Sequence, residues 1–573
     1  MSEAKQLTGF PSIDKPWQKY YSDEAINGAI DECKIYEKVW NENKDHLEDV
    51  AILYYGRKIN YRQLFSNIEK TAAAFVAEGV KAGDYVTVCS VNMPEVVYAF
   101  YALNRIGAVA NMVDPRTNTE RIGQYMKDAG SSFVLTLDRA LPRFTKLCDD
   151  GIVDKIVILS PADSLPVPLK LGYKMKNKVS ITTNDQCMVW KDFMKQGSNT
   201  KVEDCPYEKD YPAAVVYTGG TTGIPKGAVL SNDLINNIGR GYKDNELSFA
   251  RGDKCLSIMP PFIAYGVSVG IHLPISAGVT DIIIPQFNPE ELGKLISKHR
   301  AQHFIGVPSH LEQLLKDHGT DNLDLSFFKT AGVGGDMMTV ESEKRVNQYL
   351  NDHGCTNKVI QGYGMTEMGG TAVTNTHAAV KQGSVGIPLP KNNISVRDPE
   401  TKEELTYNTE GEIYLMAPAY MSRYINAPEE QKKIFWTDDQ DKVWVKTGDV
   451  GYVDEDGFVF LMGRMKRMVI RPDGHNVWPS QIEEVLLRHP SVDQCSVVGC
   501  PVPDGQNGKI PTAFIVVKEG VEQTDQLLKE IEEFSKIYMP ERDTASAFRF
   551  IDKIPMTPIG KVDYRALENI DNA

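Results

Sequence analysis

Residues Val215–Asn232 read VVYTGGTTGIPKGAVLSN. An apolar run, Ala213 to Tyr217, ends in a loop of Gly and Thr and resumes as a second apolar stretch after Pro225, Lys226 and Gly227. Glycines tolerate backbone angles closed to other residues, so such a loop can turn its N–H groups and hydroxyls toward one anion. Lys226 adds a positive charge at the loop's end, and the combination suits polyphosphate. It is not the usual P-loop, in which Gly and Lys are adjacent and Ser or Thr follows the Lys. Here Pro225 precedes Lys226 and Gly227 follows it, which argues against an ordinary kinase or GTPase.

Working outward, 573 residues exceed one compact core and allow two to four domains. From Val50 to Asp114 apolar strands alternate with amphipathic helices, the pattern of an α/β body with parallel strands. Cys255–Phe262, Thr280–Pro285, His303–Val307, Thr330–Val333 and Val359–Gly362 continue the strand series. Beyond Gly463 the character changes. Ser480 and Glu483 read as a capping box opening a helix, followed by the strands CSVVGC and PTAFIVV and a further helix. The expected architecture is a large layered α/β body over residues 1–464, a hinge at 465–467 and a small mobile α+β domain over 468–573.

A net charge of −14 argues against wholesale nucleic-acid binding. Nine scattered cysteines without a CxxC pair read as incidental thiols. His299 and His303 lack the Glu of a zinc-protease motif, so no zinc site is expected. The first residues lack a basic start with an apolar core, and nowhere do 18 apolar residues run together; the expected location is cytoplasmic.

The order Tyr-Thr-x-Gly-Thr-Thr-Gly-x-Pro-Lys-Gly over 217–227, with Gln361–Glu367 (QGYGMTE), resembles the adenylate-forming superfamily of acyl-CoA synthetases, luciferases and peptide-synthetase adenylation domains. The resemblance covers roughly residues 50 to 567 and is strongest to fatty or aryl acid CoA ligases. It implies ATP, Mg2+ and coenzyme A as reaction partners, and a carboxylate activated as acyl-AMP before transfer to a thiol. It assigns the phosphates to Thr218, Gly219, Gly220, Thr221, Thr222, Gly223 and Lys226. Gly334, Gly335, Asp336, Tyr363 and Gly364 fall on the adenine side, Asp449 and Arg464 on the ribose. Thr366 and Lys561 fall at the α-phosphate, with Glu367 as catalytic carboxylate and metal ligand; a carboxylate suits a Mg2+ that keeps most of its waters. Lys466 takes the hinge position, Gly474 the pantetheine approach, and Phe262, Ile263, Tyr265, Gly266 and Gly362 the acyl pocket. Arg467 stands where an acidic residue is frequent, and Gly220 where Ser is usual.

Ile263 offers no partner for a buried ammonium, whose desolvation costs several kcal/mol, so the sequence favours an apolar acid over an amino acid. Three alternatives stay open: transfer to a carrier-protein pantetheine instead of coenzyme A, luciferase-like oxygen chemistry, for which no residue speaks, and an inactive nucleotide-binding homologue. Ser160–Lys178 stands apart, its Lys170, Lys174, Lys176 and Lys178 interleaved with Leu169, Leu171, Tyr173 and Met175. It reads either as a basic amphipathic element meeting a membrane interface or an acidic carrier, or as a solvated lysine face.

Overall fold

The apolar runs become the centres of two large sheets in the computed structural model, which describes residues 7–176, 183–218, 225–245, 247–316, 323–425, 427–502, 508–557 and 561–570. One sheet has eight strands, ordered Arg423–Tyr424, Gly227–Ser231, Pro212–Tyr217, Val109–Val113, Tyr85–Cys89, Phe133–Leu137, Lys155–Leu159 and Cys187–Val189. From Pro212–Tyr217 onward all neighbours are parallel. The strands at its other edge are antiparallel. The second sheet has nine strands, six of them parallel: Val359–Tyr363, Thr330–Gly334, His303–Gly306, Lys254–Ser257, Thr280–Ile283 and Val50–Tyr54. Parallel strands covered on both faces need continuous apolar runs, which is why IVIL and VTVC are buried almost throughout.

Helices built on 3.6-residue spacing cover these sheets. Tyr61–Ala77 and Pro94–Ile106 bury Leu64, Ile68, Phe75, Val97, Tyr101 and Leu103 in one core with strand residues Val86, Val88 and Ala110. A smaller five-stranded sheet contains the long strand Val443–Val453, paired antiparallel with Gly411–Met416 and Val459–Arg464. The N-terminal aromatics dock on this part. Trp17 is fully buried, and Tyr20 packs edge-on against Phe458.

Beyond residue 468 a separate apolar cluster forms from Val469, Val477, Ile482, Leu486, Val497, Ile515 and Ile531. It lies between the three-stranded sheet Val492–Pro501, Lys509–Val517, Ala547–Phe550 and the helices Pro479–Leu486 and Asp525–Tyr538. The capping box expected at Ser480 and Glu483 does not form. Pro479 takes the first helical position, which suits its fixed φ, and makes Trp478 the cap, with no side-chain hydrogen bond. Ser480 therefore lies inside the helix and donates to the Met462 carbonyl, while Glu483 accepts from the Val497 N–H and pairs with Arg467.

None of the nine cysteines forms a disulfide among the described residues. His303 is buried between Asp253 and Thr330, hydrogen-bonded to both at 3.0 Å, and no metal-holding group of acidic, His or Cys side chains occurs among the described residues.

Candidate active site

The strand Pro212–Tyr217 and the strand Gly227–Ser231 form an antiparallel hairpin whose register pairs Tyr217 with Gly227. The Gly/Thr loop is the connection between them. An ordinary P-loop runs from strand into helix; this one returns along its own sheet. Its mouth is closed by two bonds, Thr218 N–H to the Lys226 carbonyl at 3.0 Å and Lys226 N–H to Thr218 Oγ1 at 3.2 Å. Gly219, Gly220, Thr221, Thr222 and Gly223 lie outside the described residues.

Lys226 Nζ lies 3.1 Å from Glu430 Oε2 and 5.0 Å from the centre of the Tyr424 ring. Glu430 also pairs with Lys433, and the two lysines together, Lys433 first, hold its carboxyl down at about 2. Across the ring, the Tyr424 hydroxyl donates to Glu367 Oε1. Glu367 is buried in the short 3-10 turn Thr366–Met368, its carbonyl accepting from the Met421 N–H. The turn follows directly from the strand Val359–Tyr363 through Gly364. A Cβ on Gly364 would lie 2.6 Å from the Gly370 carbonyl oxygen and from Thr371 Cα, so only glycine fits there.

A second group closes the site. The Tyr363 hydroxyl donates to Asp449 Oδ2 at 2.5 Å, and Arg464 Nε pairs with Asp449 Oδ1 at 2.7 Å. The pairing follows from sheet register, which sets Asp449 opposite Arg464. Burial pushes the Asp449 carboxyl above the ordinary range, against the opposing pull of Arg464 and Tyr363. Lys561 arrives from the far end of the chain on a turn in which the Thr557 N–H donates to the Lys561 carbonyl at 2.7 Å. Its Nζ stands 3.7 Å from the place a Cβ would take on Gly335, which has φ of +82° and so keeps that approach open. Burial lowers the Lys561 ammonium below its usual value, and Asp336 draws it back up.

A profile of the AMP-binding enzyme family matches residues 39–425, and a profile of the AMP-binding enzyme C-terminal domain matches 481–561. The chain belongs to the AMP-binding enzymes. A long-chain-fatty-acid–CoA ligase of Bacillus subtilis (strain 168) is 29% identical over 96% of this chain and 97% of its own length. A 4-coumarate–CoA ligase, CCL1 of Humulus lupulus, is 28% identical over 88% of each. Among solved structures, the ATP-bound RpMatB-BxBclM chimera B1 superposes with a TM-score of 0.81 over 94% of this chain and 98% of its own, at 24% identity, a likeness of fold.

In this AMP-binding enzyme the remaining candidate residues are spread more widely. Lys466 is exposed in the 3-10 turn Met465–Arg467. Arg467 is engaged by residues C-terminal to it, pairing with Glu483 at 3.2 Å and lying 3.5 Å over the Tyr564 ring. Gly474 sits exposed at the tip of the hairpin Val469–Ile470/Asn476–Val477 with φ of +83°, and a Cβ there would meet nothing within 4 Å. Phe262 is buried and Ile263 half-buried before the π-helix Gly266–His272; a Cβ on Gly266 would lie 1.7 Å from the Pro260 carbonyl oxygen. Tyr265 approaches Gly334 and Gly370, joining this stretch to the strand ends that carry Gly362 and Tyr363.

The residues fit a hydrated Mg2+. Tyr424 occupies Oε1 of Glu367, and a single carboxylate with phosphate oxygens is how that ion is commonly held, without a protein cage. Tyr424 and Glu430 are site residues that motif reading missed. They lie in AYMSRYINAPEEQ, 57 residues or more beyond Glu367, and only the edge strand Arg423–Tyr424 brings them alongside the phosphate hairpin.

Proposed function

We propose that the chain activates an apolar carboxylic acid with ATP and transfers the acyl group to coenzyme A. The carrying observation is Lys561 beside Gly335, within the electrostatic reach of Asp336 and Asp449, since that places a cation from the C-terminal segment in a cleft of the large body. A carboxylate oxygen attacks the α-phosphorus of ATP, the bond from that phosphorus to the bridging oxygen breaks, and pyrophosphate leaves. Lys561 and Thr366 hold the α-phosphoryl oxygens, Lys226 and its loop the departing pyrophosphate, and Asp449 with Arg464 the ribose. Bound Mg2+ neutralises phosphate charge beside Glu367. No covalent protein intermediate is required, because positioning and fixed charge carry the step.

In the second step the thiol of coenzyme A attacks the acyl carbonyl, its proton is lost, and AMP departs. We place the division at 1–464 and 468–573, with 465–467 as hinge. Exposed Lys466, and the grip of Arg467 on Glu483 and Tyr564, support a pivot there. Rotation about it is a hinge transition that withdraws Lys561 and brings Gly474, open on its hairpin tip, to the pantetheine. An apolar acid is favoured because Phe262, Ile263 and Tyr265 supply no charged partner to an ammonium. Acid-dependent exchange of pyrophosphate into ATP, run over acids from acetate to stearate, aryl acids and amino acids, tests this. Exchange with apolar acids, and AMP release requiring coenzyme A, is the expected result; exchange with amino acids alone would refute the assignment.

A further inference from the structure

The helix Val167–Lys176 takes no part in the adenylating site, and its surface is unusual. Val167 is 71% exposed, Leu171 60% and Met175 78%. At spacings of four residues these three form one stripe along the helix, and positions 170 and 174, three and seven residues after Val167, flank it on one side. From Ser164 to Asn184 the charged residues of the sequence are all lysines, in a chain whose net charge is −14.

The helix is held from beneath. Ser164 Oγ donates to Glu95 Oε1 at 2.5 Å, Arg57 donates to the Ser164 carbonyl, and Tyr54 to the Pro161 carbonyl. The acidic groups nearby are engaged, and Lys170 Nζ donates to the Asp163 carbonyl at 3.3 Å. Asp163 accepts from the Ser160 N–H, and Asp138 accepts from Ser160 Oγ and the Arg139 N–H. Glu95 lies in the first turn of Pro94–Ile106, and Asn92, just before that helix, donates to the Met259 carbonyl at 2.7 Å, next to the acyl stretch Pro260–Gly266. These bonds tie the segment before the helix, through the start of Pro94–Ile106, to the residue preceding the acyl stretch.

We propose that the helix Val167–Lys176 docks the protein on an anionic bilayer surface, with Val167, Leu171 and Met175 in the interface and the lysine-only charge of the surrounding sequence attracted by the headgroups. Ten residues make a helix about 15 Å long, and three apolar side chains fall far short of the roughly 800 Å² per partner of a stable protein interface. A bilayer accepts such side chains one at a time and holds cations through its surface potential. Apolar acids partition into the same bilayer, so docking brings the acyl stretch to its substrate; that link rests on the acid-activating function, whereas the docking itself does not.

Flotation of the full chain with phosphatidylcholine vesicles, with and without phosphatidylglycerol, tests the proposal. The unaltered chain should float with the anionic vesicles and release at high salt. Leu171→Glu with Met175→Glu should reduce the floated fraction at least tenfold. Lys170→Glu with Lys174→Glu should weaken partitioning by at least about thirtyfold, about fivefold for each cation lost. Both variants should retain exchange activity with a water-soluble acid, which shows them folded and separates this test from that of the reaction. The proposal is overturned if the unaltered chain floats with neither vesicle, if the variants float like it, or if the apolar substitutions change only its sedimenting mass, the mark of a protein interface.

Discussion

Replacing Lys561 by Ala divides the two half-reactions. The ammonium makes no ion pair within 4 Å among the described residues, and the backbone of its turn is held by Thr557, so the variant should fold. Half-buried beside Gly335, it would act in the proposed reaction on a phosphoryl oxygen; a separation of about 4 Å at an effective dielectric near 20 corresponds to about 4 kcal/mol. At 1.36 kcal/mol per tenfold, that is about a thousandfold in the adenylating step. Full exposure to water would reduce the interaction to about 1 kcal/mol, roughly fivefold. The assay is incorporation of labelled pyrophosphate into ATP with an apolar acid, set against thioester formation from supplied acyl-AMP and coenzyme A. Exchange should fall about a thousandfold while thioester formation stays within about threefold, because on the proposed rotation Lys561 takes no part in that step. Equal losses in both assays would refute the withdrawal, and a fivefold loss of exchange would show that water reaches the ammonium.

Two other expectations concern the same cleft. Tyr424→Phe removes the bond that orients Glu367; hydrogen bonds to charged groups contribute about 1.5–3 kcal/mol, so divalent-cation affinity, read by Mn2+ resonance in the presence of ATP, should weaken ten- to a hundredfold, and an unchanged affinity would remove Tyr424 from the metal's support. In the proposed reaction the Asp449 carboxylate accepts the ribose hydroxyls, and because burial raises that carboxyl the charged form is lost at a higher pH than for an ordinary Asp. KM for ATP should therefore begin to rise, as pH falls, above the range in which an ordinary Asp titrates, and Asp449→Asn should raise KM at every pH while flattening that dependence; a wild-type KM that stays flat until the ordinary Asp range would contradict the shift.

Much of this was legible in the chain. Continuous apolar runs such as IVIL and VTVC announced buried parallel strands, because strands covered on both faces have no polar side to show. The strand Pro212–Tyr217 leading into the Gly/Thr loop and the strand ending in Gly362–Tyr363 were legible because their apolar runs and glycines are local in sequence. Tyr424 was not, since its claim to the site comes from an edge strand joining the sheet from far along the sequence. The capping box at Ser480 misled because Pro479 sets the helix start two residues earlier than the hydroxyl pattern suggests. The interleaved lysines of 170–178 left two readings open; Lys178 lies outside the described residues, and the docking proposal takes up the first reading on the exposure of Val167, Leu171 and Met175.

The burial of Trp17 has a consequence for biogenesis. Its backbone packs against Gly457, where a Cβ would lie 2.7 Å from the Trp17 nitrogen, and neighbouring Lys19 pairs with Asp456, 437 residues away in sequence. A ribosome adding 5–20 residues each second takes about 20–90 s to deliver that partner. Throughout that interval the nascent N-terminus holds a large indole with nowhere native to put it. Trp17 is thus made long before this part of its housing, and a chain stalled before residue 457 displays it to whatever chaperone or protease reaches it first.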